Sequence, residues 1–185
     1  MQIFGLSLIF LHELINLDPL PSIIVWPFFL SCLLVVLICL FLFLGISCPQ
    51  GWRAFDDYCY LASSQVLTWS QARDFCIEKG GELVKITSER ENDFVLALAR
   101  QRASSVKEIW IGLRRNAGGF YWTDNSFPKY TNWAPKEPNN DKEQCVHMWT
   151  GHSDHLPYKA SGTWNDLFCS GAADFQLGLA CKLLP

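Results

Sequence analysis

Five oxygen-bearing side chains fall into three short stretches of the C-terminal half. Glu137 and Asn139 flank Pro138, Glu143 stands two places before Cys145, and Asn165-Asp166 follow Trp164 and precede Cys169. All five are hard donors, either carboxylates or amide carbonyls. Calcium takes about six to eight such oxygens at flexible geometry. Three carboxylates and two amides supply five or more, so positions remain for an outside ligand to complete the shell. Pro138 adds a geometric device, because only an X-Pro bond adopts the cis form cheaply. A cis turn there would bring the Glu137 and Asn139 carbonyl groups round to one side. A Cys145–Cys169 pairing would tie Glu143 to Asn165-Asp166.

Competing chemistries are weaker. His147, His152 and His155 bring zinc to mind, but their spacing fits no common zinc pattern, and they are expected as loop and strand residues. Paired acids also serve hydrolases, yet carboxylates bound to a metal are held ionised and make poor general acids. No Ser/His or Cys/His arrangement with a supporting motif accompanies them. The sequence does not point to an enzyme. All 15 Lys and Arg lie from Arg53 onward together with 16 of the 18 acids, a balance that excludes a nucleic-acid footprint. Arg114-Arg115 and Arg100-x-Arg102 read as solvated charges. Trp110, Trp122 and Trp133 read as core.

The elements that must position the five donors follow from periodicity and punctuation. Gly51 to Tyr60 reads as a hairpin, two aromatic runs around an Asp56-Asp57 turn that a Cys48–Cys59 bridge would close. Thr68-x-x-Gln71 is a capping box, followed by Trp69, Ala72 and Cys76 at helical spacing and a Gly80-Gly81 stop. Leu83 to Ile86 is a short strand. Ser88-x-x-Glu91 is a second capping box, opening a helix with Phe94, Val95 and Leu98 on one face. Strands then follow at Trp110 to Leu113, Phe120 to Trp122, Cys145 to Met148 and Leu177 to Lys182. Long Pro-, Asn- and Gly-rich loops separate them, above all between Thr123 and Gln144. Helices early and strands late make an α+β class with an antiparallel sheet. Long loops inside a small domain are functional or disordered, and loops carrying Trp133 and Trp164 are not disordered.

Between Asp18 and Arg53 there is no charged residue, and the apolar run Ser22 to Ser47 is long enough to span a bilayer. The expected organisation is therefore a hydrophobic N-terminal segment over residues 1–47 and a folded domain over 48–185. The run reads as a signal anchor by its length, giving a single-pass protein with an extracellular C-terminal domain. Cleavage near Ser47, after Gly45-Ile46, is the alternative and gives a secreted domain. Six cysteines lie outside the apolar run: Cys48, Cys59, Cys76, Cys145, Cys169 and Cys181. An even number in an exported domain means a disulfide framework, and spacing alone selects no pairing.

Glu137-Pro138-Asn139, Glu143-x-Cys145 and Trp164-Asn165-Asp166 together resemble the principal calcium site of C-type lectin domains. Cys48-Pro49-x-Gly51-Trp52, Trp69-x-x-Ala72-x-x-x-Cys76 and Trp110-Ile111-Gly112-Leu113 extend the likeness from Cys48 to Cys181. The resemblance implies a C-type lectin-like fold with two helices, antiparallel sheets and long calcium-binding loops. It also implies the pairings Cys48–Cys59, Cys76–Cys181 and Cys145–Cys169, and a cis peptide before Pro138. Glu137, Asn139, Glu143, Asn165 and Asp166 would ligate one Ca2+, and the first four would also bind sugar. The Glu-Pro-Asn order implies glycans with equatorial 3- and 4-hydroxyls (mannose, N-acetylglucosamine) or fucose. Only three residues part Asn139 from Glu143, with Asp141 as a substitute donor, and Arg115 and Gln144 stand where relatives carry acids for an auxiliary calcium. A binding module that keeps the fold but takes protein or lipid without calcium is the alternative. One monosaccharide site exposes little surface, so a homo-oligomer would supply avidity, yet the sequence carries no collagen-like repeat or heptad neck to assemble one.

Overall fold

The sheet is laid out around one strand. In the computed structural model, which describes residues 34–35, 47–151, 161–171 and 175–183, β4 (Glu108–Asn116) is flanked by β6 (Cys145–Trp149) and β8 (Leu177–Leu183). Beyond β8 come β2 (Tyr58–Ser63) and β1 (Arg53–Phe55), and beyond β6 comes β7 (Trp164–Leu167). Two short strands branch off: β3 (Gly81–Leu83) on β8, and β5 (Gly119–Trp122) on β4. Helices α1 (Trp69–Glu78) and α2 (Glu89–Arg102) complete the set. These elements all belong to one unit, Ile46–Pro185. The apolar run expected as an anchor, together with His152 and His155, lies outside the described residues, apart from Leu34, Val35 and Ser47. Among the described residues no helix is long and apolar enough to cross a membrane.

Side-chain alternation on β4 divides the interior in two. Ile109, Ile111 and Leu113 join Val95 and Leu98 of α2, Met148, Trp122 and Trp164 in one cluster. Trp110, pointing the other way, joins Trp69, Ala72 and Cys76 of α1 with Leu177 and Leu179. Buried indoles need partners, and they have them: Trp69 donates to the Ile111 carbonyl at 2.9 Å, Trp110 to the Leu67 carbonyl at 2.8 Å, and Trp164 to Asn92 Oδ1 at 2.8 Å. Gly112 is required by close approach, since a Cβ there would sit 2.6 Å from the Leu83 carbonyl oxygen. Its register with β6 slips between Trp110 and Arg114.

The hairpin forms as expected, with Asp56 at φ 48 in its turn. α1 is capped by both arms of the Thr68/Gln71 box and stops before Gly80 at φ 86. The three disulfides are Cys48–Cys59, Cys76–Cys181 and Cys145–Cys169, the pairings the resemblance implies.

Four expectations are corrected. The sheet is mixed, because β4 and β8 run parallel, their crossover passing through the long middle of the chain. The strand expected at Leu83 to Ile86 lies earlier, at Gly81–Leu83, where β8 offers pairing; Val84 and Ile86 are buried without belonging to it. Trp164-Asn165-Asp166, expected in a loop, forms β7 against β6. The second capping box is half made. Ser88 Oγ accepts the Glu91 amide, but the Glu91 carboxylate turns into the core instead of back to Ser88.

Candidate functional site

The five donors are brought to one edge of the sheet. β7 pairs antiparallel with β6, setting Asn165 opposite His147 and Asp166 opposite Val146, and the Cys145–Cys169 bridge closes the same end. Asp166 is thereby fully buried, at 0% side-chain exposure. The loop bearing Glu137 is tied to β7 by backbone. Trp164 donates to the Asn132 carbonyl at 2.7 Å, Ala134 donates to the Trp164 carbonyl at 2.8 Å, and Glu137 turns back onto the Ala134 carbonyl at 2.9 Å. Trp133 packs edge-on to Trp164 beneath it. The Glu137–Pro138 peptide is cis.

Electrostatics show which side chains meet. Burial pushes the Glu137 carboxyl above its ordinary value, the Asp166 and Glu143 charges push the same way, and an Asn139 hydrogen bond opposes them. Burial, followed by the Asp166 charge, likewise raises Glu143. So Glu143 shares the neighbourhood of the other acids despite its short loop. Asp141 does not replace it: its side chain is 99% exposed and bonded to Arg115. The main-chain amide of Asn139 donates to Asp166 Oδ1 at 3.2 Å. Glu137 Oε2 is buried without a hydrogen-bond partner.

Two residues outside the expected set take part. His147, fully buried in β6, lies 3.0 Å through Nε2 from Asn165 Nδ2. An amide NH2 can only donate, so Nε2 accepts, and the Asn165 oxygen is left uncommitted by this bond. Glu108 Oε2 is 3.7 Å from the other ring nitrogen. Arg115, expected to be a solvated charge, is instead 22% exposed and reaches Asp166 Oδ2 at 3.3 Å, Asp141 Oδ1 at 3.1 Å and the Glu143 carbonyl at 3.4 Å. Neither role leaves a local signal, since the partners lie far along the chain.

A calcium ion fits this donor set on two observations. A buried carboxylate oxygen is unpartnered, and two glutamates are crowded by an aspartate. A cation relieves both conditions. Among the described residues no three His, Cys, Asp or Glu side chains form a ready-made metal group. Glu137, Glu143 and Asp166 are thus not drawn together as a closed three-acid cluster, and Arg115 and the Asn139 amide bond the two Asp166 oxygens.

Comparison with known proteins places the domain. The family model described as Lectin C-type domain matches residues 65–175, more than half of the chain. The mouse low affinity immunoglobulin epsilon Fc receptor is 37% identical over 131 residues, 69% of this chain and 35% of that receptor. The chain thus spans about a third of that relative. A perlucin-like protein of the mussel Mytilus galloprovincialis is 32% identical over 140 residues, 74% of this chain and 83% of its own length. Among solved structures, the cow CD23 C-type carbohydrate-recognition domain, determined in the presence of a GlcNAc2Man3 oligosaccharide, superimposes with a TM-score of 0.60 at 35% identity, covering 76% of this chain and 98% of that one. A calcium-independent type II antifreeze protein also superimposes with a TM-score of 0.60, at 26% identity, over 75% of this chain and 95% of its own. This chain belongs to the C-type lectin domain family.

Proposed function

We propose that the domain binds glycans of the mannose, fucose and N-acetylglucosamine type through one calcium ion, without catalysis. The observation that carries the proposal is the unpartnered, buried Glu137 Oε2 beside Asp166 and Glu143. Glu137, Asn139, Glu143, Asn165 and Asp166 would hold the ion, which supplies a Lewis-acidic centre that takes two vicinal sugar hydroxyls. Glu137 and Glu143 would accept hydrogen bonds from the hydroxyls, and Asn139 and Asn165 would donate to the hydroxyl oxygens, so every polar atom of the diol is satisfied. His147 steadies Asn165 for that task. The likeness to a recognition domain determined with GlcNAc2Man3 supports the sugar class.

A second reading, a calcium-independent binding surface on the same fold, is favoured by one observation: the protein itself bonds both oxygens of Asp166. The three disulfides and the apolar run support an exported domain, either anchored by that run or secreted after cleavage near Ser47. The deciding experiment is retention of the full chain on mannose resin with calcium and with chelator. Retention only in calcium is expected; equal retention in chelator rules out the calcium mechanism.

A further inference from the structure

We infer that Arg115 is a positioning residue, a cation built into the chain that holds the Asn139–Glu143 loop against Asp166 before any metal arrives. Its consequence for sugar binding rests on the calcium reading above, but the test of the inference does not.

Arg115 stands near the end of β4, and its contacts join two segments of the site, the stretch from Asp141 to Gln144 and Asp166 of β7. Its backbone N–H donates to the Gln144 carbonyl at 2.7 Å. Nε reaches the Glu143 carbonyl, Nη1 reaches Asp141, and Nη2 reaches Asp166. The guanidinium carbon lies 4.4 Å from the centre of the Phe120 ring, which fixes the plane of the fork. These contacts differ in weight. The Asp141 pair is exposed and adds little, whereas Asp166 is buried, and a buried charge requires a partner. The Glu143 carbonyl anchors the far end of the loop to the same group. One planar fork addressing an acid and a carbonyl at different angles is a task for arginine; a lysine ammonium is a point charge on a flexible stem.

Two effects on calcium then oppose each other. The positive charge repels an incoming dication, and the bonded loop spares the ion the work of bringing the Glu143 stretch to Asp166. Arg115 bonds the Glu143 end of the loop and Asp166 at once, and that geometry indicates that ordering dominates. Lysine separates the two effects, because it keeps the charge and loses the fork.

The test is amide exchange of the full chain in chelator, for wild type, Arg115→Lys and Arg115→Ala. The reporters are the Asn139 amide bonded to Asp166 and the Glu143 amide bonded to Asn140, with the β2–β8 amides as internal control. Both variants should exchange at least about tenfold faster at Asn139 and Glu143 while the control strands are unchanged. The apparent calcium affinity of Arg115→Lys should fall several-fold in the same samples. If Arg115→Lys exchanges like wild type, the fork positions nothing and the inference is overturned. If wild type shows no response to calcium while the variants still loosen in chelator, the calcium reading fails and the positioning role stands.

Discussion

The domain takes carboxylates out of water at two places, and they are treated in opposite ways. Glu91, 3% exposed at the start of α2, accepts four hydrogen bonds: Tyr60 Oη and Lys182 Nζ on Oε1, and the Thr87 amide and hydroxyl on Oε2, each at 2.7 Å. Burial pushes its carboxyl up, but these bonds outweigh burial and hold it below the ordinary glutamate value. Glu137 and Glu143 are also pushed up by burial, and there the neighbouring Asp166 adds to the push instead of offsetting it. One cluster is completed by the protein; the other is left open. A fold that closes every valence around Glu91 and leaves Glu137 Oε2 unpartnered separates the acid that builds from the acids that bind.

The comparison breaks most visibly at Glu91. In Glu91→Ala, Lys182 and the Tyr60 hydroxyl lose a partner at a site where α2 meets β2 and β8. Removing one member of a buried pair costs about 3–5 kcal/mol, so the denaturant midpoint should drop sharply. Glu137→Ala in chelator should leave that midpoint unchanged or slightly raised, because it removes a crowded charge. If Glu137→Ala destabilised the calcium-free domain as much as Glu91→Ala does, the two clusters would not differ in kind.

A smaller effect sharpens the binding side. The double change Glu137→Gln, Asn139→Asp reverses the order of acid and amide around Pro138, and with it the donors and acceptors offered to a diol. Mannose affinity should fall by about tenfold or more, roughly the loss of one charge-assisted hydrogen bond, while galactose affinity rises. The stability of the chelated domain should stay close to wild type. Glycan-array binding in calcium measures it, and undiminished mannose binding would remove both residues from the site.

How much of this was legible in the sequence depends on how far apart the partners lie. Thr68 and Gln71 announce the start of α1 because their bonds are local. The five donors stand out by type, and the disulfide pairing follows from the resemblance, since spacing alone leaves it open. Glu91 reads as a capping acid because its links to Thr87 and Ser88 are local, whereas Tyr60 and Lys182, which draw it into the core, lie 31 and 91 residues away. Arg115 reads as solvated for the same reason, Asp166 being 51 residues distant. His147 is buried opposite Asn165 by a register that no periodicity in a four-residue strand declares. β7 was hidden by its own chemistry, because ligand-type side chains on a short strand look like a loop.

The smallest effect is a difference in acid sensitivity between the site and the fold, and it follows from the opposite signs of the two clusters. Glu137 and Glu143 are raised above the ordinary value of 4.5. Calcium requires them ionised, so affinity is greatest well above their raised values and declines as pH falls through them. That decline begins above pH 4.5. In the empty domain the same two groups act the other way: their contribution to stability is present below 4.5 and lost as pH rises through the raised values. Mild acid therefore does not weaken the chelated fold through them. Glu91 is lowered, so its contribution is present above 4.5 and lost only as pH falls through its lowered value. On acidification the site should empty first and the fold should fail later. Bound calcium also adds stability by mass action, so the melting temperature with calcium should converge on that in chelator as pH drops, before either collapses. Thermal melts and mannose-resin retention across mildly acidic pH, in calcium and in chelator, measure both curves. A single transition in which retention and the chelator melting temperature fall together would place binding and framework acids in one class.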